Sequence, residues 1–302
     1  MAKVIITGGT GLVGRRLTQL LLNKGYEVNI LCRNPQKLNE FRWDLSRNYI
    51  DKNVLEQADT IIHLAGAGVA DQRWTAERKK EIINSRIQST RLLHDYLVNN
   101  KHTVSNFISA SAVGYYGDRG NELLTETSSA GSGFLADVCR QWEREVDTLA
   151  ALDISVSKIR IGIVLSKDGG ALPKLDFPVR FGIGAYIGNG KQYVPWIHID
   201  DLCTIFLHLL ENKNIAGTFN ACAPDIRTNR QMGETIAKVL HRPFIPAPAP
   251  AFLLKAAMGE MAEMLLMSNN CSPEKITATG FRFQFPMLAD ALEHIYHTAK
   301  SN

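Results

Sequence analysis

A run of glycines near the amino end, Thr7-Gly8-Gly9-Thr10-Gly11-Leu12-Val13-Gly14, constrains this chain more than any other stretch. Ahead of it Lys3-Val4-Ile5-Ile6 has the short, β-branched pattern of a buried strand. Behind it Leu12, Val13, Leu17, Leu20 and Leu21 recur at helical spacing until Asn23-Lys24-Gly25 ends the helix. The glycines therefore sit on a strand-to-helix turn. Gly8 can take a positive φ there. Gly11 admits a pyrophosphate close to the backbone, and Gly14 lets the helix pack tightly on the strand. The first amides of the helix lack internal partners and carry the positive end of its dipole, which suits a phosphate. Thr10, Leu12 and Val13 complete the loop and join the glycines as candidate cofactor contacts. The run fits G-x-G-x-x-G through Gly9, Gly11 and Gly14, and G-x-x-G-x-x-G through Gly8, Gly11 and Gly14. Its weight comes from the strand–turn–helix context.

Glu27 to Cys32 reads as a second strand, ending at Arg33-Asn34-Pro35. In dinucleotide folds a carboxylate at this point accepts from the adenosine ribose hydroxyls, whereas an arginine offers a fork to a 2′-phosphate. Here the residue is Arg33, so the expected cofactor is NADP; a solvated loop charge is the plain alternative. Further strands are expected at Phe41–Asp44, Asp59–Gly66, Val104–Ser109 and Ile154–Ile161, with helices over about Thr75–Val98 and Leu135–Leu149. Strands alternating with helices imply βαβ units and a doubly wound parallel sheet of α/β class.

From Ile163 the pattern loosens. Gly182, Gly184, Gly188 and Gly190 mark a loop-rich region able to close over a ligand. Asp200 and Asp201 are placed to cap an apolar helix over Leu202–Glu211. Pro243, Pro246, Pro248 and Pro250 read as a stiff linker. Met258, Met261, Met264 and Met267 form a helical stripe of core-packing type, and Leu288–Ala299 a last helix. His63 and His198 each lie in apolar surroundings and read as interior histidines bonded to backbone.

Of 302 residues, 45% are hydrophobic and 21% charged, as in ordinary globular enzymes. The net charge of +4 comes from scattered Lys and Arg, which argues against nucleic acid and membrane surfaces as partners. Five well-separated cysteines without a C-x-x-C read as reduced thiols of a cytoplasmic protein rather than disulfides or a zinc site, and no metal is expected. The first strand leaves no room for a signal peptide, and no apolar run is long enough to span a bilayer.

Together these motifs resemble an extended short-chain dehydrogenase/reductase. Asp59-Thr60-Ile61-Ile62-His63-Leu64-Ala65-Gly66 is similar to the D-x-x-H-x-A-[AG] element, and Asn106-Phe107-Ile108-Ser109-Ala110-Ser111 to the strand carrying the active-site serine. Arg73-Trp74-Thr75, Ser85-Arg86, Ser111 to Gly117, Cys139 to Glu143 and Pro195-Trp196-Ile197-His198 narrow the resemblance to the "epimerase family" of nucleoside-diphosphate-sugar epimerases with a small C-terminal domain of unknown function. The resemblance implies a Rossmann core over 1–165, a mixed segment over 166–242 shared with a smaller substrate domain, and a small helical C-terminal domain over 243–302. It implies cofactor contacts at Cys32, Arg33, Leu64, Ala65, Gly66, Glu81, Arg86, Ser109 and Val164. For Glu81 and Arg86, composition alone favours a surface ion pair. The expected partner is a small hydroxylated substrate, such as a nucleotide sugar.

The superfamily uses a Tyr and, four residues on, a Lys on one helix face. The ammonium lowers the tyrosine pKa so that it can move a proton while the nicotinamide moves a hydride. Counting back from Trp142-Glu143, those slots fall near Phe134 or Leu135 and near Cys139, so neither residue is present. Ser111 remains as a substrate-orienting hydroxyl, with Tyr116 as a displaced acid/base or, equally, a loop-packing residue. The one literal Y-x-x-x-K, Tyr296 to Lys300, lies at the far end of the chain. Two readings follow: an NADP-dependent epimerase or reductase, and a non-catalytic NADP(H)-binding sensor or partner-binding protein.

Overall fold

The computed structural model describes residues 2–55 and 57–297. Eight strands form the main sheet. In chain order the first six are β1 (Lys3–Thr7), β2 (Glu27–Cys32), β3 (Glu40–Asp44), β4 (Tyr49–Ile50), β5 (Thr60–His63) and β6 (Asn106–Ala112). Their spatial order is Gly217–Ala221, Ser155–Ile161, β6, β5, β1, β2, β3, β4. β1 pairs in parallel with both β2 and β5, β2 with β3 and β5 with β6, while β4 turns back antiparallel on β3. The sheet is thus the expected doubly wound one, and the order reverses between β1 and β5. Ligands of such sheets bind beyond the carboxyl ends of the strands at that reversal.

The central strands are apolar on both faces because helices cover both. Val4, Ile5, Ile6, Ile61 and Ile62 are fully buried. Each contributes roughly 1.5–3 kcal/mol by leaving water. Helix α1 (Leu12–Asn23) buries Gly14, Leu17 and Leu21, and Gly25, with φ +84°, ends it as its position suggests. Helix α2 (Ala76–Asn99) starts at Thr75, whose side chain accepts from the Arg78 amide. Helix α3 (Phe134–Asp147) and a 3-10 turn to Leu152 occupy the stretch expected as one helix.

The chain divides into two compact units. One comprises residues 1–111, 138–159 and 203–218; the other comprises 112–137, 160–202 and 219–302. In the second unit the structure departs from the sequence reading at three places. The proline segment is not a linker: Ile245–Ala249 is a strand paired in parallel with Ile183–Ile187. Ile245 donates its amide to the Gly182 carbonyl, and Gly188 donates to that of Ala249. Pro246 and Pro248 alternate with these residues, so the missing N–H groups fall on the edge that needs none. The methionine stripe is broken into Ala251–Met258, a 3-10 turn over Gly259–Ala262, and Glu263–Leu266, with Gly259 at φ +63° at the break. The helix Ile199–Glu211 starts earlier than expected, so Asp200 and Asp201 lie in its first turn rather than at its cap. Asp201 is fully buried and accepts the amides of Gln284 (2.7 Å) and Phe285 (3.0 Å). Among the described residues no helix is long and apolar enough to cross a membrane. The last helix runs over Leu288–His297; the expected extension to Ala299, and Lys300 with it, lie outside the described residues.

Candidate active site

The glycine turn joins the carboxyl end of β1 to α1 as expected. Gly8 has φ +70°, and a Cβ there would lie 2.9 Å from the Leu64 carbonyl carbon. A Cβ on Gly14 would lie 2.3 Å from the Gly8 carbonyl oxygen, and one on Gly9 2.8 Å from Ile30. These three positions admit glycine only, because backbone or packed side chain occupies the space. Gly11 sits at the N-cap of α1, offers no side-chain cap, and no acid stands in the first turn. The amides of Leu12, Val13 and Gly14 are therefore left for an anion, as a dinucleotide pyrophosphate requires. Thr10 and Gly11 are exposed and Leu12 and Val13 half-buried, which leaves the loop approachable.

Beyond β2, Cys32 is buried and Arg33 exposed. A carboxylate does reach this strand end, from β3 rather than β2: Glu40 Oε2 accepts the Gln36 amide at 2.7 Å and lies 3.9 Å from Cys32 Sγ. That hydrogen bond ties Glu40 to the turn, and burial with the nearby carboxylate pushes the Cys32 thiol pKa up. Arg33 is the exposed charge at the strand end.

At the neighbouring strand end, Thr7 Oγ1 gathers three partners. It lies 2.7 Å from His63 Nδ1 and accepts the amides of Leu64 and Ala65 at 3.2 Å each. His63 Nε2 meets the hydroxyls of Ser89 and Thr90 on α2 at 3.2 Å. The interior histidine is therefore held by side chains rather than by backbone. Full burial, with the Arg86 charge second, lowers its pKa to about 3, so the ring is neutral. Its role is to tie β1, β5 and α2 together beneath the loop that starts at Leu64.

Arg86 lies on α2 but its guanidinium is at that loop. It donates to the carbonyls of Ala67 (3.1 Å) and Ile82 (2.9 Å), and its plane lies 5.1 Å from the centre of the Trp142 ring. A Cβ on Gly66 would sit 3.0 Å from Arg86 Cζ. Arg86 is thus no surface partner of Glu81. Glu81 instead takes Arg78 Nη1 at 2.7 Å, while Arg78 is buried and also donates to the Gly68 carbonyl. Sequence reasoning missed Arg78; its only local signal was the i,i+3 spacing to Glu81.

On β6, Ser109 faces inward, fully buried and in register with His63. Ser111, at the strand end, is buried and donates to Glu143 Oε1 on α3 at 2.7 Å. Trp142, next to Glu143, packs edge-on to His63, and its buried indole N–H has no hydrogen-bond partner. Gly66, Arg86, Trp142, Ser111 and Glu143 are chained by these contacts at the carboxyl end of β5 and β6. A dinucleotide fits this strand end on two counts: the uncapped first turn of α1 and the orphaned indole donor of Trp142.

Two sequence candidates belong to the other unit. Val164 lies half-buried in the strand Ile163–Leu165, in register with Ile197. Tyr116 is fully buried; its hydroxyl donates toward Asn220 Oδ1 (2.7 Å) and the Thr125 carbonyl (3.0 Å) and accepts from Arg160 Nη1 (2.9 Å). Burial pushes its pKa well above the ordinary tyrosine value despite Arg160. Such a hydroxyl anchors the loops around it and does not readily exchange a proton. Arg160 also lies 3.5 Å above the Tyr115 ring.

His198, Asp200 and His294 cluster in the same unit. His198 Nδ1 accepts the Asp200 amide at 3.0 Å, while Nε2 meets His294 Nδ1 at 3.1 Å. Asp200 Oδ2 lies 3.9 Å from Nδ1, on the opposite edge of the ring from His294. One ligand atom from each residue lies within 4.8 Å of the others, and both ring nitrogens of His198 already meet protein groups, the Asp200 amide and His294. His198 is indeed an interior histidine bonded to backbone.

The sequence is similar to known proteins along almost its whole length. Residues 4–133 match the NAD dependent epimerase/dehydratase family, and residues 249–295 match DUF1731, a domain of unknown function. An epimerase family protein of Staphylococcus saprophyticus is 36% identical over 98% of this chain and 100% of its own. The crystal structure of the human epimerase family protein SDR39U1 (isoform 2) with NADPH is 32% identical, has a TM-score of 0.87, and is matched over 97% of this chain and 98% of that one. A nucleoside-diphosphate sugar epimerase from Corynebacterium glutamicum is 32% identical with a TM-score of 0.80, over 99% of this chain and 60% of that one. With its glycine turn at the strand reversal, its serine at the end of β6 and this full-length similarity, the chain belongs to the epimerase family, with an NAD-dependent epimerase/dehydratase core and a DUF1731 segment at its carboxyl end.

Proposed function

We propose that this protein is an NADP-dependent epimerase or reductase that acts on a secondary alcohol or ketone of a small hydroxylated substrate, with nucleotide sugars as the first class to test. The observation that carries the reading is the uncapped first turn of α1 over a glycine cradle, with the Arg86 guanidinium packed against Gly66 at the adjacent strand end. The NADPH in the human relative's crystal structure supports the same cofactor.

In this reading the amides of Leu12, Val13 and Gly14 bind the pyrophosphate, and Arg33 pairs with the 2′-phosphate as a bidentate fork. Leu64, Ala65 and Gly66 line the approach to the nicotinamide end. Arg86, held over Trp142, keeps a positive charge beside that loop. NADP, when bound, accepts or returns a hydride. Ser111 orients the reacting hydroxyl, and burial of its surroundings excludes bulk water. Tyr116 holds the loop that follows Ser111.

One observation favours a second reading. The helix positions that carry Tyr and Lys in the superfamily fall near Phe134 or Leu135 and near Cys139 here, so the chain could bind NADP(H) as a sensor without turning over. The test is the same for both. Heat stabilisation by NADPH, exceeding that by NADH, is expected under either reading. Consumption of NADPH, or isomer formation, with a panel of nucleotide sugars and simple ketones supports the enzyme. Tight binding without any conversion supports the sensor.

A further inference from the structure

Helix α3 presents Leu135, Cys139 and Glu143 at i, i+4 and i+8, one stripe on one face. The superfamily's proton-moving pair would occupy the first two positions. Here the stripe's one carboxylate comes a turn later. Glu143 is 5% exposed, and its Oε1 accepts the Ser111 hydroxyl proton at 2.7 Å; Ser111 is 3% exposed. We propose that Ser111 and Glu143 form a proton relay that stands in for the absent Tyr–Lys pair, a proposal that rests on the reading of this site as an NADP-dependent oxidoreductase or epimerase.

The hydrogen-bond direction supports it. Ser111 gives its own proton to Glu143, so the Oγ lone pairs are left to accept from a second donor, such as a substrate hydroxyl. In the oxidising direction the substrate O–H bond breaks and its proton passes to Ser111 Oγ. The Ser111 proton passes to Glu143 Oε1. The C–H bond breaks and its electron pair leaves as hydride to the oxidised nicotinamide dinucleotide, while the C–O bond becomes C=O. Ser111 ends unchanged and Glu143 ends protonated. The reverse steps return proton and hydride, to the same face of the carbonyl in a reductase and to the opposite face in an epimerase. Beside this stripe, which also carries Cys139, the neutral His63 of β5 and the Arg86 guanidinium of α2 both pack on Trp142, the chain neighbour of Glu143.

The competing account is a purely structural pin between β6 and α3. Glu143→Gln separates the two, because an amide oxygen keeps the hydrogen bond to Ser111 but cannot take up a proton. Heat stabilisation by NADPH is expected to be the same in wild type, Glu143→Gln and Ser111→Ala. The infrared carboxyl spectrum of the NADP-loaded wild type minus that of Glu143→Gln is expected to show a carboxyl that exchanges its proton over the same pH range in which the rate changes. Reduction of a panel of keto-sugars and simple ketones by NADPH is expected to fall on the order of 10²–10⁴-fold in kcat in both variants, the range for general acid–base groups. The fall of the rate at rising pH is expected to vanish in Glu143→Gln, and Glu143→Asp to restore part of the loss. A carboxyl that does not change its protonation over the pH range in which the rate changes, or Glu143→Gln turning over like the wild type, overturns the relay alone. A wild type that binds NADPH but converts nothing overturns the enzyme reading and the relay with it.

Discussion

His63 shows how much a single residue can set. Its ring is fully buried among Thr7, Ser89 and Thr90, and its pKa falls to about 3. A histidine in the unfolded chain titrates near 6.5, so between these values the unfolded state binds a proton that the native state does not. Stability is therefore lost as pH drops below the unfolded value, with a slope of up to about 1.4 kcal/mol per pH unit from this group. Melting temperatures measured from neutral to mildly acidic pH test this; a variant with His63→Asn is less stable at neutral pH but shows a flatter acid dependence. Arg33 carries a different kind of test. Exposed at the end of β2, it can be exchanged without disturbing packing. Arg33→Glu is expected to weaken NADPH binding by about tenfold or more while leaving or improving NADH binding, since one charge-assisted fork amounts to about 1.5–3 kcal/mol. Calorimetric titration with each dinucleotide reads the ratio. Arg33 was legible because its position after a β-strand defines it. The partners of His63 were not, since they lie 26, 27 and 56 residues away in the chain.

Helix ends and turns decide the next level. The α1 turn accepts no side chain at Gly14, where a Cβ would lie 2.3 Å from the Gly8 carbonyl. Gly14→Ala is expected to cost roughly 1–3 kcal/mol of stability, the range for forced overpacking, and to weaken NADPH binding because the amides it shifts are the ones that face the pyrophosphate. The helix Asn229–Val239 opens with a capping box. The Thr228 hydroxyl accepts the Gln231 amide while the Gln231 side chain accepts the Thr228 amide. Thr228→Ala is expected to cost about 1 kcal/mol, visible in chemical denaturation, with NADPH affinity unchanged. Local periodicity and caps made the glycine turn, α1, α2 and the central strands legible in the sequence, with strand ends placed to within about three residues. The strand Ile245–Ala249 was not legible, because proline density argues for a stiff linker until a partner strand supplies hydrogen bonds to every other residue.

Across the molecule, a buried and a half-buried carboxylate bind the carboxyl-terminal segment to earlier parts of its unit. Asp201 accepts the amides of Gln284 and Phe285, Asp225 accepts that of Leu288, and Phe285 stacks 4.1 Å from the His198 ring. Asp201→Ala leaves two amides unpaired at a fully buried site. The expected cost is about 1–3 kcal/mol for each amide left without a partner, seen as a lowered melting temperature and faster proteolysis near residues 281–288. Asp201→Asn, which keeps an acceptor oxygen, is expected to retain more of the stability. The sequence placed Asp201 at a helix start and Leu288 at the beginning of a last helix. It could not join them, since the contacts span more than 60 residues.

What the amino-acid sequence determined by itself was local: a strand, a turn that only glycine can make, a helix with a bare first turn, and the alternation that builds a doubly wound sheet. Those properties depend on backbone sterics and on hydrophobic periodicity over a few residues. The tertiary structure alone decided which distant side chains meet. It set Arg86 of α2 against Gly66, turned the Ser111 hydroxyl toward Glu143 across 32 residues, and buried Tyr116 among Asn220, Thr125 and Arg160. A side chain's hydrogen-bond partner depends on how helices pack on the sheet, and that packing is a property of the whole core.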